Sequence, residues 1–94
     1  MEKDGNYRCR SEDGYVWDRY DFIINLRETN KNFVITLLEN KDKYLPTRFE
    51  MMFKKSNKVT TKKEHGIHGF IWGDNYFVMY PYRDGLPYCF EKYD

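Results

Sequence analysis

The 94-residue chain contains no alanine and no glutamine, two strong helix formers. Tyrosine, phenylalanine, isoleucine, valine and threonine are common instead, and they suit the pleated surface of a β-sheet. Long apolar runs are also missing, and a membrane-spanning helix needs roughly 20 such residues. The first residues lack the apolar segment of a secretory signal. We therefore expect one cytoplasmic domain over residues 1–94, mainly β, without membrane contact.

Motifs for catalysis are scarce as well. The chain has no Gly-x-Gly-x-x-Gly, no Walker-type loop and no serine elbow. His65 and His68 are separated by only two residues, a spacing too common to define a zinc site. Together with Arg48 and Glu50 they could form a ribonuclease-like site, but nothing fixes an acid and a base side by side. We predict no enzyme, no metal and no cofactor, with a small ribonuclease toxin as the weakest alternative.

Turn signals recur at short intervals between apolar segments. They are Asp13-Gly14, 29–32, Gly73-Asp74-Asn75 and Asp84-Gly85. Such turns are typical of β-hairpins. They predict an α+β, mainly β fold, an antiparallel meander of about six strands near 7–11, 15–27, 33–39, 68–72, 76–82 and 86–92. A small all-β barrel is the alternative.

One segment has helical rather than alternating periodicity. Leu45, Phe49, Met52 and Phe53 fall on one helical face, and Thr47-Arg48-Phe49-Glu50 has the spacing of a capping box. We expect a short helix over about 47–56 that ends near Asn57 and packs on the sheet. The competing interpretation is a strand with Phe49, Met51 and Phe53 inward.

The C-terminal residues 70–94 contain nine aromatic side chains. A three-residue loop at 73–75 would place Trp72 opposite Tyr76, and a two-residue turn at Asp84-Gly85 would place Met79 opposite Phe90. This register predicts an inward face of Ile71, Phe77, Met79, Pro81, Tyr88 and Phe90. The opposite face would hold Phe70, Trp72, Tyr76, Val78, Tyr80, Tyr82 and Cys89. That face is either covered by the same chain or awaits a partner.

Proline and cysteine add two further expectations. Pro81 and Pro87 cannot donate to a strand ladder, so their strands should lie at or near an edge, where a homodimer could form. Cys9 and Cys89 are expected to be free thiols, although pairing of the first and last strands would bring them close.

Charge is concentrated in the middle of the chain. Residues 31–63 carry a net charge of +6, against −2 before them and −3 after them. The stretch 54–63 holds five lysines and no acidic residue. It is either a solvated surface or a positive patch that contacts an acidic protein or nucleic acid.

These features resemble the small anti-defence proteins of phages and mobile elements, including anti-CRISPR proteins. The shared traits are a short single domain, no alanine, many Lys, Asn and Tyr residues, no enzyme motif and segregated charge. The resemblance implies an inhibitor that blocks a CRISPR effector nuclease at a nucleic-acid-binding channel or another working surface.

We therefore expect a protein-binding inhibitor, as monomer or homodimer, with single-stranded RNA or DNA binding as the alternative. Tryptophan, tyrosine and arginine dominate binding hot spots, and lysines steer association. The predicted partner-binding residues are Trp72, Tyr80, Tyr82, Arg83, Lys54, Lys55, Lys58, Lys62 and Lys63.

Overall fold

The computed structural model describes residues 2–11, 19–42, 44–64, 69–81 and 85–93. The described residues form seven strands and one short helix. In chain order these are β1 (Gly5–Arg10), β2 (Asp21–Glu28), β3 (Asn32–Asn40), α1 (Thr47–Met52), β4 (Lys58–Lys62), β5 (Phe70–Trp72), β6 (Tyr76–Met79) and β7 (Tyr88–Tyr93). The fold is therefore α+β and mainly β, as the sequence predicts, with β4 as a strand that the sequence analysis missed.

All seven strands belong to one antiparallel sheet in the order β4-β3-β2-β1-β7-β6-β5. Strands β1–β4 form one meander and β5–β7 form a second. The two meanders are joined because β1 pairs with β7. In a single continuous meander, the first strand would pair only with the second. The sheet stays open rather than closing into a barrel, and its edges are β4 and β5.

The sheet curls around a core rich in aromatic residues. Phe33 on β3 and Phe70 on β5 are five strands apart in the sheet order, yet their ring centres are 4.8 Å apart. Rings on neighbouring strands also stack directly, and the ring centres of Phe77 and Phe90 are 4.7 Å apart. The main core cluster consists of Tyr7, Cys9, Phe22, Ile24, Leu26, Phe33, Ile35, Phe49, Phe53, Phe77, Met79 and Phe90.

The helix lies against this core through the face that the sequence predicts. Phe49 and Phe53 are buried, while Leu45 and Met52 pack against the core from its margin. The predicted capping box is wrong: Pro46 occupies the N-cap position, and no side chain caps the helix. The helix also ends at Met52 rather than near residue 56. Proline restricts the backbone where the helix starts but offers no side-chain acceptor, and its carbonyl accepts hydrogen bonds from the amides of Phe49 and Glu50.

The β5–β6 hairpin corrects the predicted faces of its strands. The amide of Gly73 donates to the carbonyl of Tyr76 at 2.9 Å, so the loop has two residues rather than three. Trp72 then lies opposite Phe77, one residue away from the predicted register. Because side chains alternate along a strand, this slip turns Phe70 and Trp72 inward and Ile71 outward. A Cβ atom at position 73 would overlap the Tyr76 ring, so any larger residue there would require this exposed ring to move.

The β6–β7 pairing keeps its predicted faces. Met79 lies opposite Tyr88 rather than Phe90, a shift of two residues, so Phe77, Met79 and Phe90 still point inward and are buried. The strands beside the two prolines lie near an edge rather than at it, since β6 is next to the edge strand β5 and β7 is one strand further in. Both prolines avoid the ladder because β6 ends at Met79 and β7 begins at Tyr88.

Other boundaries differ in detail from the prediction. Strand β2 begins at Asp21, while the Asp13-Gly14 turn and the expected strand start at 15 lie outside the described residues. Asp84 of the last predicted turn lies outside them too. Within the described ranges, no helix is long and apolar enough to cross a membrane.

Candidate binding surfaces

The basic stretch of the sequence lies at one edge of the sheet. Lys58 and Lys62 project from the outer face of β4 and are exposed, while Val59 and Thr61 point inward. Lys54 and Lys55 are exposed in the segment that leads into this strand. Among the residues that the structure describes, none of these four lysines forms an ion pair. The edge therefore carries positive charge that the described part of the chain leaves unbalanced.

Lys63 differs from the other four lysines. Its Nζ atom lies 2.9 Å from Oε2 of Glu28 and 5.8 Å from the centre of the Phe33 ring. Lys3 approaches the same carboxylate at 3.9 Å. Lys63 is therefore part of a local charge network at one end of the curled sheet, and its role in an external patch stays a prediction.

The backbone of β4 also has an outward side. The amide of Leu37 donates to the carbonyl of Asn57, and the amide of Lys63 donates to that of Lys31. In an antiparallel ladder these bonded pairs recur at every second residue. The register therefore turns the main-chain groups of Val59 and Thr61 towards β3. Those of Lys58, Thr60 and Lys62 point away from the sheet.

Trp72 lies at the opposite edge but is turned into the molecule. Its ring centre is 4.8 Å from that of Phe77 and 5.4 Å from that of Phe33. The Nζ atom of Lys3 lies over the outer side of the indole at 4.9 Å. Trp72 is half-buried, so packing explains its position, and its role as a binding anchor stays a prediction.

The remaining predicted anchors are partly outside the description. Tyr80 is half-buried just after β6, where its amide donates to the carbonyl of Gly69 at 3.3 Å. Tyr82 and Arg83 lie outside the described residues. The structure thus brings Lys58 and Lys62 together on β4, with Lys54 and Lys55 on its approach. Of the predicted lysines, Lys63 is linked to Trp72, through Phe33 and through Glu28 and Lys3.

The outer face of β5–β7 carries an apolar row that the sequence did not predict as a unit. Ile71 lies directly opposite Val78, and Val78 lies opposite Cys89, so the three form a row across three strands. Ile71 is 53% exposed, and Tyr76 beside the row is 45% exposed. The alternation of side chains along these strands could have predicted the row. The predicted register of β5 was wrong by one residue, however, and placed Ile71 in the core.

The outer face of β1 and β2 contains two polar cross-strand pairs, with Ile23 between them. Arg8 donates two hydrogen bonds to the carboxylate of Asp21, at 2.8 and 2.6 Å. These bonds hold the pKa of Asp21 below its usual range, against the opposing effect of partial burial. The side-chain amide of Asn25 donates to that of Asn6 at 2.8 Å. This region is stabilised by its own cross-strand pairs.

The two cysteines are free thiols, as the sequence predicts. The first and last strands do pair, but Cys9 points into the core and Cys89 is exposed on the outside. Opposite faces of adjacent strands prevent a disulfide. Burial raises the pKa of the Cys9 thiol far above its ordinary value.

Other chemistry has little support in the described regions. They contain no group of three or more histidine, cysteine, aspartate or glutamate side chains placed to hold a metal. His65 and His68 lie outside them. A hollow of about 740 Å³ is open to solvent and is lined by Asn30–Asn32 and Lys62–Glu64.

Comparison with protein-family models, curated proteins and solved structures found no match to this chain.

Proposed function

We propose that this chain is a small non-enzymatic protein that binds a protein partner and blocks one of its working surfaces. The observation that carries this proposal is the edge strand β4. It presents exposed lysines without counter-charges in the described structure, together with main-chain groups that face away from the sheet. A protein partner can use both features, whereas a phosphate backbone needs only the charges.

The positions of the rings argue against the nucleic-acid alternative. Base stacking needs exposed aromatic faces beside the positive groups. Phe70, Trp72, Phe77 and Phe90 instead pack into or against the core. Tyr76, the exposed ring of β6, lies on neither β4 nor β3. The lysine edge therefore has no stacking platform within its own strand or the strand beside it.

The charge of the edge restricts what kind of surface it could block. The composition of the whole chain resembles that of anti-CRISPR proteins, so we propose an effector nuclease as the class of target. A channel that holds nucleic acid is itself basic and would repel these lysines. Lys58 and Lys62 suit an acidic working surface of such an effector.

The first test is affinity capture from bacterial lysate, with and without nuclease treatment, using the full chain. We expect a protein partner that remains bound after nuclease digestion. The double variant K58E/K62E should lose this partner. R10E/R19E, which changes net charge equally at exposed positions on and beside β1, should keep it. Recovery of nucleic acid alone, released by salt above about 0.2 M, would overturn the proposal.

The predicted aromatic contribution needs a separate measurement with the captured partner. Replacing Tyr80 with alanine should weaken binding by about 2 kcal/mol if the ring is a hot spot. The circular dichroism spectrum and unfolding midpoint must stay unchanged. Loss of the fold would instead assign Tyr80 to internal packing and remove it from the binding surface.

A further inference from the structure

We propose that β4 is a docking edge that accepts an extended, acidic segment of the partner as an additional strand of the sheet. This inference rests on the proposed protein-binding function and specifies how the partner is recognised. Its three supports are the outward main-chain groups of β4, the spacing of its lysines and the difference between the two edges of the sheet.

The main-chain groups define where a new strand would bind. The N–H and C=O groups of Thr60 and Lys62 face away from β3 because the bonded pairs fall at Val59 and Thr61. The amide of Lys58 is already used locally, since it donates to the Ser56 hydroxyl at 3.1 Å. An added strand would therefore form its ladder bonds mainly at residues 60 and 62, with register set from that end.

The side chains define the chemistry of that strand. Lys58, Thr60 and Lys62 share the outer face, with consecutive members roughly 6.6 Å apart along the strand. Carboxylates at every second position of an added strand would lie across from the lysines, and opposite charges on neighbouring strands attract. Its intervening side chains would continue the inner face beyond Val59 and the buried Thr61. The expected ligand alternates acidic and apolar residues.

Charge also argues against a second copy of this chain at the same edge. Antiparallel pairing of β4 with itself would bring lysines from both copies together, and like charges across a ladder are destabilising. The same lysines that discourage self-pairing attract an acidic strand. Strand β5, the other edge, has only three residues and no charged side chain, so it lacks this selectivity.

The direct test uses a blocked heptapeptide of alternating Glu and Val as the probe. Backbone amide shifts and hydrogen exchange of the ¹⁵N-labelled full chain are followed during titration. We expect the amides of Thr60 and Lys62 to shift and become protected, while those of Val59 and Thr61 are already protected. A matched peptide with Lys in place of Glu should leave all of them unchanged.

Two pairs of variants separate strand addition from simple charge attraction. K58E/K62E and K54E/K55E change the net charge equally, but only the first pair lies on the strand. We expect the first pair to weaken peptide binding at least about tenfold and the second less than about threefold. Thr60→Pro removes the outward amide without removing a bond to β3, whereas Thr60→Ala keeps it. Only the proline variant should lose binding.

Several outcomes would overturn this inference. Equal weakening by the two lysine pairs, or normal binding by Thr60→Pro, would show that β4 acts as charge alone. Oligothymidine binding that shifts the lysine side chains without protecting the amide of Thr60 would do the same. If Thr60→Pro unfolds, the wild-type protection pattern still decides, and its absence at saturating peptide contradicts the proposal.

These failures differ from failure of the proposed function. In one case, a protein partner remains bound after nuclease digestion and binds the Thr60→Pro and K58E/K62E variants as tightly as wild type. This result would preserve the proposed function and show that β4 is not the docking edge. Capture of nucleic acid alone would remove the proposed function itself.

Discussion

The two meanders of this sheet present different surfaces. In β1–β4 the outer face combines the polar Arg8–Asp21 and Asn25–Asn6 pairs with Ile23 and Val34, and exposed lysines lie at its edge. In β5–β7 the outer face carries the row of Ile71, Val78 and Cys89. The difference shows that residue type alone does not identify the interaction surface of this protein. The aromatic half is rich in rings because it supplies much of the core.

The two edges of the sheet are protected in different ways. Strand β4 is long enough to pair with another chain and carries lysines, which oppose self-association. Strand β5 has three residues and turns Phe70 and Trp72 into the molecule. Charge protects one edge, while shortness and inward packing protect the other.

The largest expected effect concerns how the β5 edge is held. Trp72→Ala should reduce the free energy of unfolding by about 3 kcal/mol, because the indole packs on Phe33 and Phe77. Ile71→Ala, its neighbour on the exposed face, should cost less than about 1 kcal/mol. Urea unfolding measures both. Similar losses for the two variants would mean that β5 does not have the inward and outward faces described.

The next effect concerns the protection of the β4 edge. Replacing Lys58 and Lys62 with valine should produce concentration-dependent dimers or aggregates, because the strand would lose the charges that oppose pairing. Light scattering after size exclusion measures this. K54V/K55V removes the same charge outside the strand and should remain at the wild-type mass. If both variants stay unchanged, charge is not what protects this edge.

A smaller but sharper effect separates the two faces at the junction of the meanders. In the native protein Cys89 should react readily with a thiol reagent. Cys9 should react at least about a hundredfold more slowly, because it is buried and its thiolate is disfavoured. Cys89→Ser should remove the fast phase, and denaturant should make both wild-type thiols reactive. Rapid modification of both native thiols would contradict the inward position of Cys9.

The smallest effect concerns the polar outer face of β1 and β2. Arg8 lowers the folded-state pKa of Asp21, so this pair stabilises the protein above the ordinary aspartate pKa of about 3.9. The contribution is lost as pH falls through the lower folded value. Asp21→Asn should therefore have a lower free energy of unfolding than wild type at pH 7. The difference between the two proteins should become smaller towards pH 3. Urea unfolding at pH 7 and pH 3 measures this difference. If the difference in free energy of unfolding is the same at both pH values, the variant loses stability for a reason other than the ionisation of Asp21.

Local patterns in the sequence predicted much of the fold. The hairpin signals at 29–32 and 73–75 lie where strands turn, and the helical stripe of Phe49 and Phe53 faces the core. The prediction missed β4, because Lys58-Val59-Thr60-Thr61-Lys62 contains only one apolar residue. Such a pattern suits an edge strand with one exposed face, but it is also typical of a solvated loop.

The error in the predicted faces of β5 had one physical source. A two-residue loop in place of a three-residue loop changed the register of β5 by one position. Because alternation has a period of two, that single step exchanged Trp72 with Ile71 between core and surface. The lysine positions were robust, since exposure of charged side chains does not depend on register.

The sequence by itself determined the strand-rich character, the antiparallel hairpins and the position of the charge, because propensity, turn chemistry and composition are local properties. Tertiary structure alone decided that β1 pairs with β7, that the C-terminal rings fill the core and that the lysines lie on an edge strand. These features depend on contacts between residues far apart in the chain. Packing between distant residues, such as Phe33 against Phe70 and Phe22 against Phe90, contributes to their stability, and no local pattern encodes it.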